Sequence, residues 1–149
     1  FKKVGMALLG KVGGAAGPLY GGFFIDFGIP AENKHEVTFL EFVEMVKKGV
    51  EKVESRGKAL IGDKTMIDTL RPALDALIQA TEEGKEPLAA FEACVNTAQQ
   101  GRDSTIPLVA KKGRALRLGE RAIGHLDPGA TSSHLILSVF YENLKLQFK

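Results

Sequence analysis

The sequence predicts an all-α protein, and three observations carry that prediction. Apolar residues recur at spacings of three and four through every long segment, and no stretch alternates with the two-residue period of a half-buried strand. Glycine and proline punctuate the chain at intervals that suit helix ends. A chain of 149 residues is long enough to bury a substantial core as one domain, so residues 1–149 are expected to form a single helical domain.

The elements follow in order. Phe1, Val4, Leu8 and Val12 already repeat at near-helical spacing, so the chain is expected to start inside a helix and to continue upstream of its first residue. The run then breaks into GGAAGPLYGG, residues 13–22. Glycines at this density admit positive φ and leave no Cβ in the way of a ligand, while Pro18 suits the first turn of a new helix. Free amides and the positive end of the dipole there would favour an anion such as phosphate; a tight turn between two helices is the alternative. Leu19, Phe23, Phe24 and Phe27 give the second helix an apolar face, which Gly28 and Pro30 stop.

Thr38 with Glu41 has the form of a capping box, and Phe39, Phe42, Val43, Val46, Val50 and Val53 then share one face. Glu44, Lys47, Lys48, Glu51 and Lys52 mark the solvated side, and Gly57 is the expected left-handed residue at the helix end. The next helix follows a break at Gly62-Asp63 and carries Met66, Leu70, Leu74, Leu77 and Thr81 on one face, with a kink expected at Pro72. From Pro87 a further helix presents Leu88, Phe91, Val95 and Ala98, with Cys94 beside them as a buried, inert thiol and Pro107 bending or restarting the helix. Residues 111–133 form a basic, glycine-rich connection containing Arg114, Arg117 and Arg121, which reads as a solvated loop or a second polyanion site. Asp127-Pro128-Gly129 signals a turn, with Thr131 or Ser132 capping a last helix that bears Leu135, Ile136, Val139, Phe140 and Leu144.

Composition excludes several function classes. A formal net charge of +2 with 26% charged residues does not call for nucleic acid or an acidic membrane as partner. A lone cysteine rules out an internal disulfide, and no window reaches the roughly 18 apolar residues of a membrane-spanning helix. The expected compartment is the cytoplasm. His125 could titrate usefully, although a loop histidine without a ligand is the plainer reading.

Taken together, GGAAGPLYG, the Arg56-Gly57-Lys58 triplet, GDKTM at residues 62–66, GRALRLGER at 113–121 and GHLDPG at 124–129 resemble, in order and spacing, the nucleotide-binding L subunit of bacterial dihydroxyacetone kinase. The resemblance covers essentially the whole chain. It implies an antiparallel barrel of amphipathic helices, eight in the family and about six here, with ADP or ATP held by loops at one end. Gly14, Ala15, Ala16 and Gly17 would cradle the phosphates. Leu19 and Met66 would line the adenine pocket, with Gly57 admitting close approach of another wall, and Thr65 would be a further nucleotide-binding residue. Arg114 would pair with or position the nucleotide, and Asp127, Pro128 and Gly129 would close the adenine pocket.

The resemblance also implies partners. Dihydroxyacetone would belong to a separate K subunit, and in phosphotransferase-dependent systems an M subunit would supply the phosphate. No residue here reads as a catalytic base for the substrate hydroxyl, which suits that division of labour; the chain alone would then be inactive. Two departures stand out. Where the family's loop reads Gly-Gly-Ala-Ser-Gly this chain has Ala16, which lacks a hydroxyl donor. The family's Gly-Asp-Gly-Asp-His-Gly type motif, the source of its Mg²⁺ ligands, is absent, and Asp63 and Asp127 make no evident pair. The first two helices and the metal loop are therefore expected to lie outside this sequence. A barrel lacking them would expose apolar faces and could pair as a homodimer. The alternative from another class is a non-catalytic helical module acting through protein contacts or as a regulator.

Overall fold

The computed structural model describes residues 1–147. Six α-helices occur among them: α1 (Lys2–Lys11), α2 (Ala16–Phe27), α3 (Phe39–Gly57), α4 (Ile67–Glu82), α5 (Pro87–Asp103) and α6 (Pro128–Gln147). Short 3-10 segments cover Ile29–Ala31 and Arg114–Ala122. No strand is present among the described residues, as the periodicity predicts. No helix among them is long and apolar enough to cross a membrane. The chain divides into two compact units, one from Phe1 to Lys58 and one from Ala59 onward.

The first unit packs α1 on α2 and α2 on α3. The α1–α2 contact is made through glycine: a Cβ added to Gly5 would lie 2.6 Å from the Gly21 carbonyl oxygen, and one on Gly21 would lie 2.6 Å from Leu9 Cγ. This corrects the expected α1 face, because Phe1, Val4 and Val12 are exposed and Gly5 is the buried position. Backbones that close cannot meet where side chains intervene, so the smallest residue and not the apolar stripe sets the contact face. Phe27 is the centre of the unit, with the Phe23 ring stacked at 5.7 Å and Phe1 and Phe42 edge-on at 4.8 and 6.0 Å. The Phe23 ring rests on α3 at Gly49, where a Cβ would lie 2.6 Å from Cε2.

The capping box opens α3 as predicted. Thr38 Oγ1 accepts from the Glu41 amide at 3.2 Å while Glu41 Oε2 accepts from the Thr38 amide at 2.7 Å. Val43, Val46, Val50 and Val53 are buried with Met45 and Gly49, and Lys52 ties the far side to Asp26 of α2 at 3.1 Å. The helix runs one residue beyond its expected end. Gly57 is its last helical residue, and the left-handed residue is Lys58, with φ 48° and ψ 33°. Hydrogen bonding from Lys34 and from the Thr38 amide lowers the Glu41 carboxyl to about 2, from an ordinary value of 4.5. Because the folded value lies below the unfolded one, this contribution to stability is complete above about pH 4.5 and is lost as pH falls toward 2. The Glu41 carboxyl carbon should therefore titrate near pH 2 by NMR, and Lys34→Ala should move that midpoint upward; an ordinary midpoint in the parent protein would refute the assignment.

In the second unit α5 packs against both α4 and α6, around Leu70, Leu74, Leu77, Phe91, Cys94, Ala98 and Leu137. Burial pushes the Cys94 thiol up to about 12, in keeping with the inert thiol expected there. Pro72 lies inside α4 and cannot donate to the Asp68 carbonyl one turn back. At that turn α5 comes in at Gly101, where an added Cβ would stand 2.2 Å from the Asp68 carbonyl oxygen and 3.0 Å from Thr69 Cα. Pro107 neither bends nor restarts α5, because the helix ends at Asp103 and Pro107 lies in the turn beyond. The last helix starts earlier than Thr131 or Ser132. Asp127 accepts from the Ala130 amide at 2.7 Å and Pro128 occupies the first helical position, so what reads as a turn is a helix cap. Its buried residues are Ala130, Ser133 and Leu137, whereas Leu135 and Val139 are exposed. Gly101→Ala should destabilise the protein by about 1–3 kcal/mol, since backbone cannot yield as a flexible side chain would; urea unfolding that matches the parent would refute the close approach.

Candidate functional site

The turn between α1 and α2 is built on Gly14, with φ 68°, which only glycine adopts without strain. Ala15 is the N-cap of α2, Ala16 and Gly17 are its first helical residues, and no described side chain caps it. Gly17 is small for a local reason, because a Cβ there would sit 2.1 Å from the Val12 carbonyl oxygen. The turn is thus drawn tight by its own backbone, leaving first-turn amides of α2 without an internal partner. Pro18 has no amide to add. Arg56 of α3 reaches this end, where Nη1 donates to the Pro18 carbonyl at 3.2 Å and places a guanidinium beside the first turn. Within this unit Leu19 and Gly57 also meet, with 3.4 Å from Leu19 Cδ2 to a Cβ placed on Gly57. A lone arginine in the Arg56-Gly57-Lys58 triplet carries no periodicity that would have identified Arg56 in advance.

In the second unit the residues of GDKTM form a polar knot. Lys64, 3% exposed and left-handed at φ 60°, donates its three ammonium hydrogens to the carbonyls of Thr105, Ala122 and His125 at 2.7, 2.8 and 2.6 Å. Asp68 accepts from the Gly62 amide at 2.6 Å and the Thr65 amide at 2.7 Å, closing the loop onto the first turn of α4. Asp63 accepts from the Leu60 amide at 2.9 Å, and its carbonyl accepts from the Lys111 amide at 3.0 Å. Thr65 Oγ1 accepts from the Ile67 amide at 3.1 Å. A buried ammonium is costly unless every hydrogen is used, and here each one is.

Met66 and Gly129 are neighbours: a Cβ on Gly129 would lie 3.4 Å from Met66 Cβ. Asp127 is fastened alongside, its amide donating to Thr105 Oγ1 at 3.0 Å. Burial raises the Asp127 carboxyl above its ordinary value and Asp68 adds to the rise, while the amides of Ala130 and Gly129 and the Lys64 charge oppose it. Four of the sequence-derived residues, Met66, Asp127, Pro128 and Gly129, therefore sit at one place, with Thr65 adjoining through the chain. Arg114 is different. It begins the 3-10 segment after Gly113, whose φ is 71°, and is exposed. Arg117 and Arg121 are likewise exposed, and the segment breaks at Gly119.

The described carboxylates do not compose a magnesium site. No group of three or more His, Cys, Asp and Glu side chains among the described residues is placed to hold a metal ion. Asp63, Asp68 and Asp127 are each committed to backbone amides. Lys64 and Asp68 escape sequence reasoning because a lysine and an aspartate in a short loop read as solvated until a tertiary fold brings carbonyls and amides to them.

The model of the DAK2 domain family matches residues 1–142. The ADP-binding subunit of PEP-dependent dihydroxyacetone kinase 2 of Listeria innocua is 54% identical over 144 residues, which are 97% of this chain and 66% of that protein. The corresponding ADP-binding subunit of Escherichia coli is 47% identical over 131 residues, 88% of this chain and 62% of that one. This chain thus spans 62% to 66% of the length of these two relatives. The crystal structure of the dihydroxyacetone kinase of C. freundii superposes with a TM-score of 0.65 at 27% identity, over 95% of this chain and 23% of that one. The same kinase in complex with AMP-PNP and Mg²⁺ superposes with a TM-score of 0.65 at 27% identity, over 95% of this chain and 22% of that one.

Asp127→Ala should cost about 1–2 kcal/mol through loss of the α6 cap, and Asp127→Asn, which keeps an acceptor, should recover most of it. Thermal unfolding of the two variants separates these outcomes, and equal loss in both would mean that charge rather than capping matters at this position.

Proposed function

This chain belongs to the DAK2 domain family, and on that premise we propose that it acts as the ADP/ATP-binding subunit of a dihydroxyacetone kinase. The observation that carries the proposal is the uncapped first turn of α2 behind Gly14, which is the backbone arrangement that takes a phosphate. Ala15, Ala16 and Gly17 offer amides there, and Arg56 adds positive charge beside them. We assign to nucleotide binding Leu19 and Gly57 in the first unit and Thr65, Met66, Asp127, Pro128 and Gly129 in the second. Arg114, on its exposed loop, pairs with or positions the nucleotide. Phosphoryl transfer asks a protein mainly for positioning and for neutralisation of phosphate oxygens, which amides and guanidinium groups provide.

The relatives' designation as ADP-binding subunits supports the nucleotide, and their designation as PEP-dependent supports a relay. In that reading the chain keeps its nucleotide, receives phosphate from a phosphocarrier M subunit and passes it to dihydroxyacetone on a K subunit. The C. freundii kinase was solved in complex with AMP-PNP and Mg²⁺; the carboxylates described here do not fit magnesium, and no step is assigned to the metal. The second reading, a non-catalytic helical module, draws on Ala16 in place of a hydroxyl donor and on the same commitment of carboxylates to amides.

Calorimetric titration of ADP with and without Mg²⁺ distinguishes the two. The kinase-subunit reading expects binding that weakens at least tenfold in Arg114→Ala. Ala16→Ser should tighten ADP by about 1.5 kcal/mol or more, the worth of a hydrogen bond to a charged group, and no detectable binding to any of the three proteins would favour the non-catalytic module.

A further inference from the structure

Within the second unit, residues 106–124 form a loop whose two ends meet at one point. The outgoing foot is Thr105, whose carbonyl accepts from Lys64 Nζ at 2.7 Å, and the returning foot is Ala122 with His125, whose carbonyls accept from the same nitrogen at 2.8 and 2.6 Å. A backbone bond joins the feet directly, from the Gly124 amide to the Ile106 carbonyl at 2.8 Å. A third fastening comes from the residue before Lys64, where the Asp63 carbonyl takes the Lys111 amide at 3.0 Å. Ala110 and Ala122, at the two ends, are buried; residues 113–121 between them are exposed or half-buried, with left-handed glycines at Gly113 and Gly119. This is a compact loop with a bolted base and a solvated crown.

Arg114 stands on that crown. We propose that Lys64 is a positioning residue for Arg114: by holding both feet of the loop with one ammonium, it fixes where the Arg114 guanidinium meets the nucleotide. The proposal rests on the reading that Arg114 contacts ADP. The choice of lysine follows from the chemistry. Three carbonyls from separate parts of the loop converge on one point, and an ammonium is the side-chain group that offers three donors from a single nitrogen to serve them together. An apolar residue of similar length would fill the space but remove the one group that ties Thr105, Ala122 and His125 together, leaving the local turn bonds of Leu108 to Thr105 and His125 to Ala122 and the Gly124–Ile106 bond. The base would then loosen, and the crown would sample positions from which Arg114 seldom reaches the nucleotide.

The test uses the full chain and ADP as probe. Binding is measured for the parent, Lys64→Met, Arg114→Ala and the double variant. Lys64→Met should weaken ADP at least tenfold, yet by less than twofold once Arg114 is already alanine. Fully additive losses would overturn the proposal, because they would place the effect of Lys64 on Thr65 and Met66 or on the fold at large and not on Arg114. Trypsin cleavage after Arg114, Arg117 and Arg121 under native conditions should be at least tenfold faster in Lys64→Met, and an unchanged rate would equally overturn it. If Lys64→Met fails to fold, Lys64→Gln, which retains two donors, takes its place. Hydrogen exchange on the parent protein needs no variant: the Lys111 and Gly124 amides should be protected while those of residues 113–121 exchange freely, and uniform exchange would refute the bolted base. A parent protein that binds no ADP overturns the nucleotide reading and this proposal together; one that binds ADP with additive losses overturns this proposal alone.

Discussion

The second unit depends on a buried ammonium. Lys64 projects from a left-handed position between two helices and donates to three carbonyls, those of Thr105 and Ala122, which also take the local turn bonds of Leu108 and His125, and that of His125. Around it, Asp68 and Asp63 use their carboxylates on amides of their own loop, and Thr105 passes the network on to Asp127 and hence to the start of α6. Desolvating a lysine is expensive, and the expense is met only because every donor finds an acceptor. That requirement couples the α4 entry, the end of α5, the basic loop and the α6 cap. Moving any one of them would leave a buried polar atom without a partner.

The first unit is organised by a different constraint, the closeness of its backbones. Gly5 and Gly21 let α1 and α2 meet, Gly49 receives the Phe23 ring, and Gly17 lets the turn close on the Val12 carbonyl. Tightness here has a functional side. A turn drawn in on its own backbone presents helix amides outward, which is the simplest form of an anion cradle and requires no side chain. The same logic operates once in the second unit, where Gly101 brings α5 against the turn of α4 that Pro72 leaves short of a donor. A proline that would weaken an isolated helix is accommodated because a neighbour without a side chain packs on it.

The two halves of the proposed nucleotide chemistry therefore have unlike origins. On that reading phosphate recognition would fall to backbone amides at a helix start, and base recognition to residues such as Met66 and Gly129, which lie together beside the Asp127 cap. Arg114 belongs to neither class. Its loop is fastened only at the base, so its contribution is set by anchoring at a distance and not by local packing.

Sequence by itself determined the helical class, the count and approximate limits of the helices, the capping box at Thr38 and the loops that carry the family resemblance, because each is written in local spacing and local chemistry. Tertiary structure alone decided which faces of α1 and α6 are buried and what the loop charges do. An apolar stripe on α1 or α6 states that burial is favourable but not which neighbour arrives, and the glycine contact of Gly5 or the small face of Ala130, Ser133 and Leu137 prevails once backbones approach closely. Asp127-Pro128 reads equally as a turn or as a cap until the Ala130 amide is placed on the carboxylate. Lys64 reads as a solvated charge until carbonyls 41, 58 and 61 residues away converge on it. Satisfaction of a polar group is a property of its surroundings, and surroundings assembled from distant parts of the chain leave no periodic trace in its sequence.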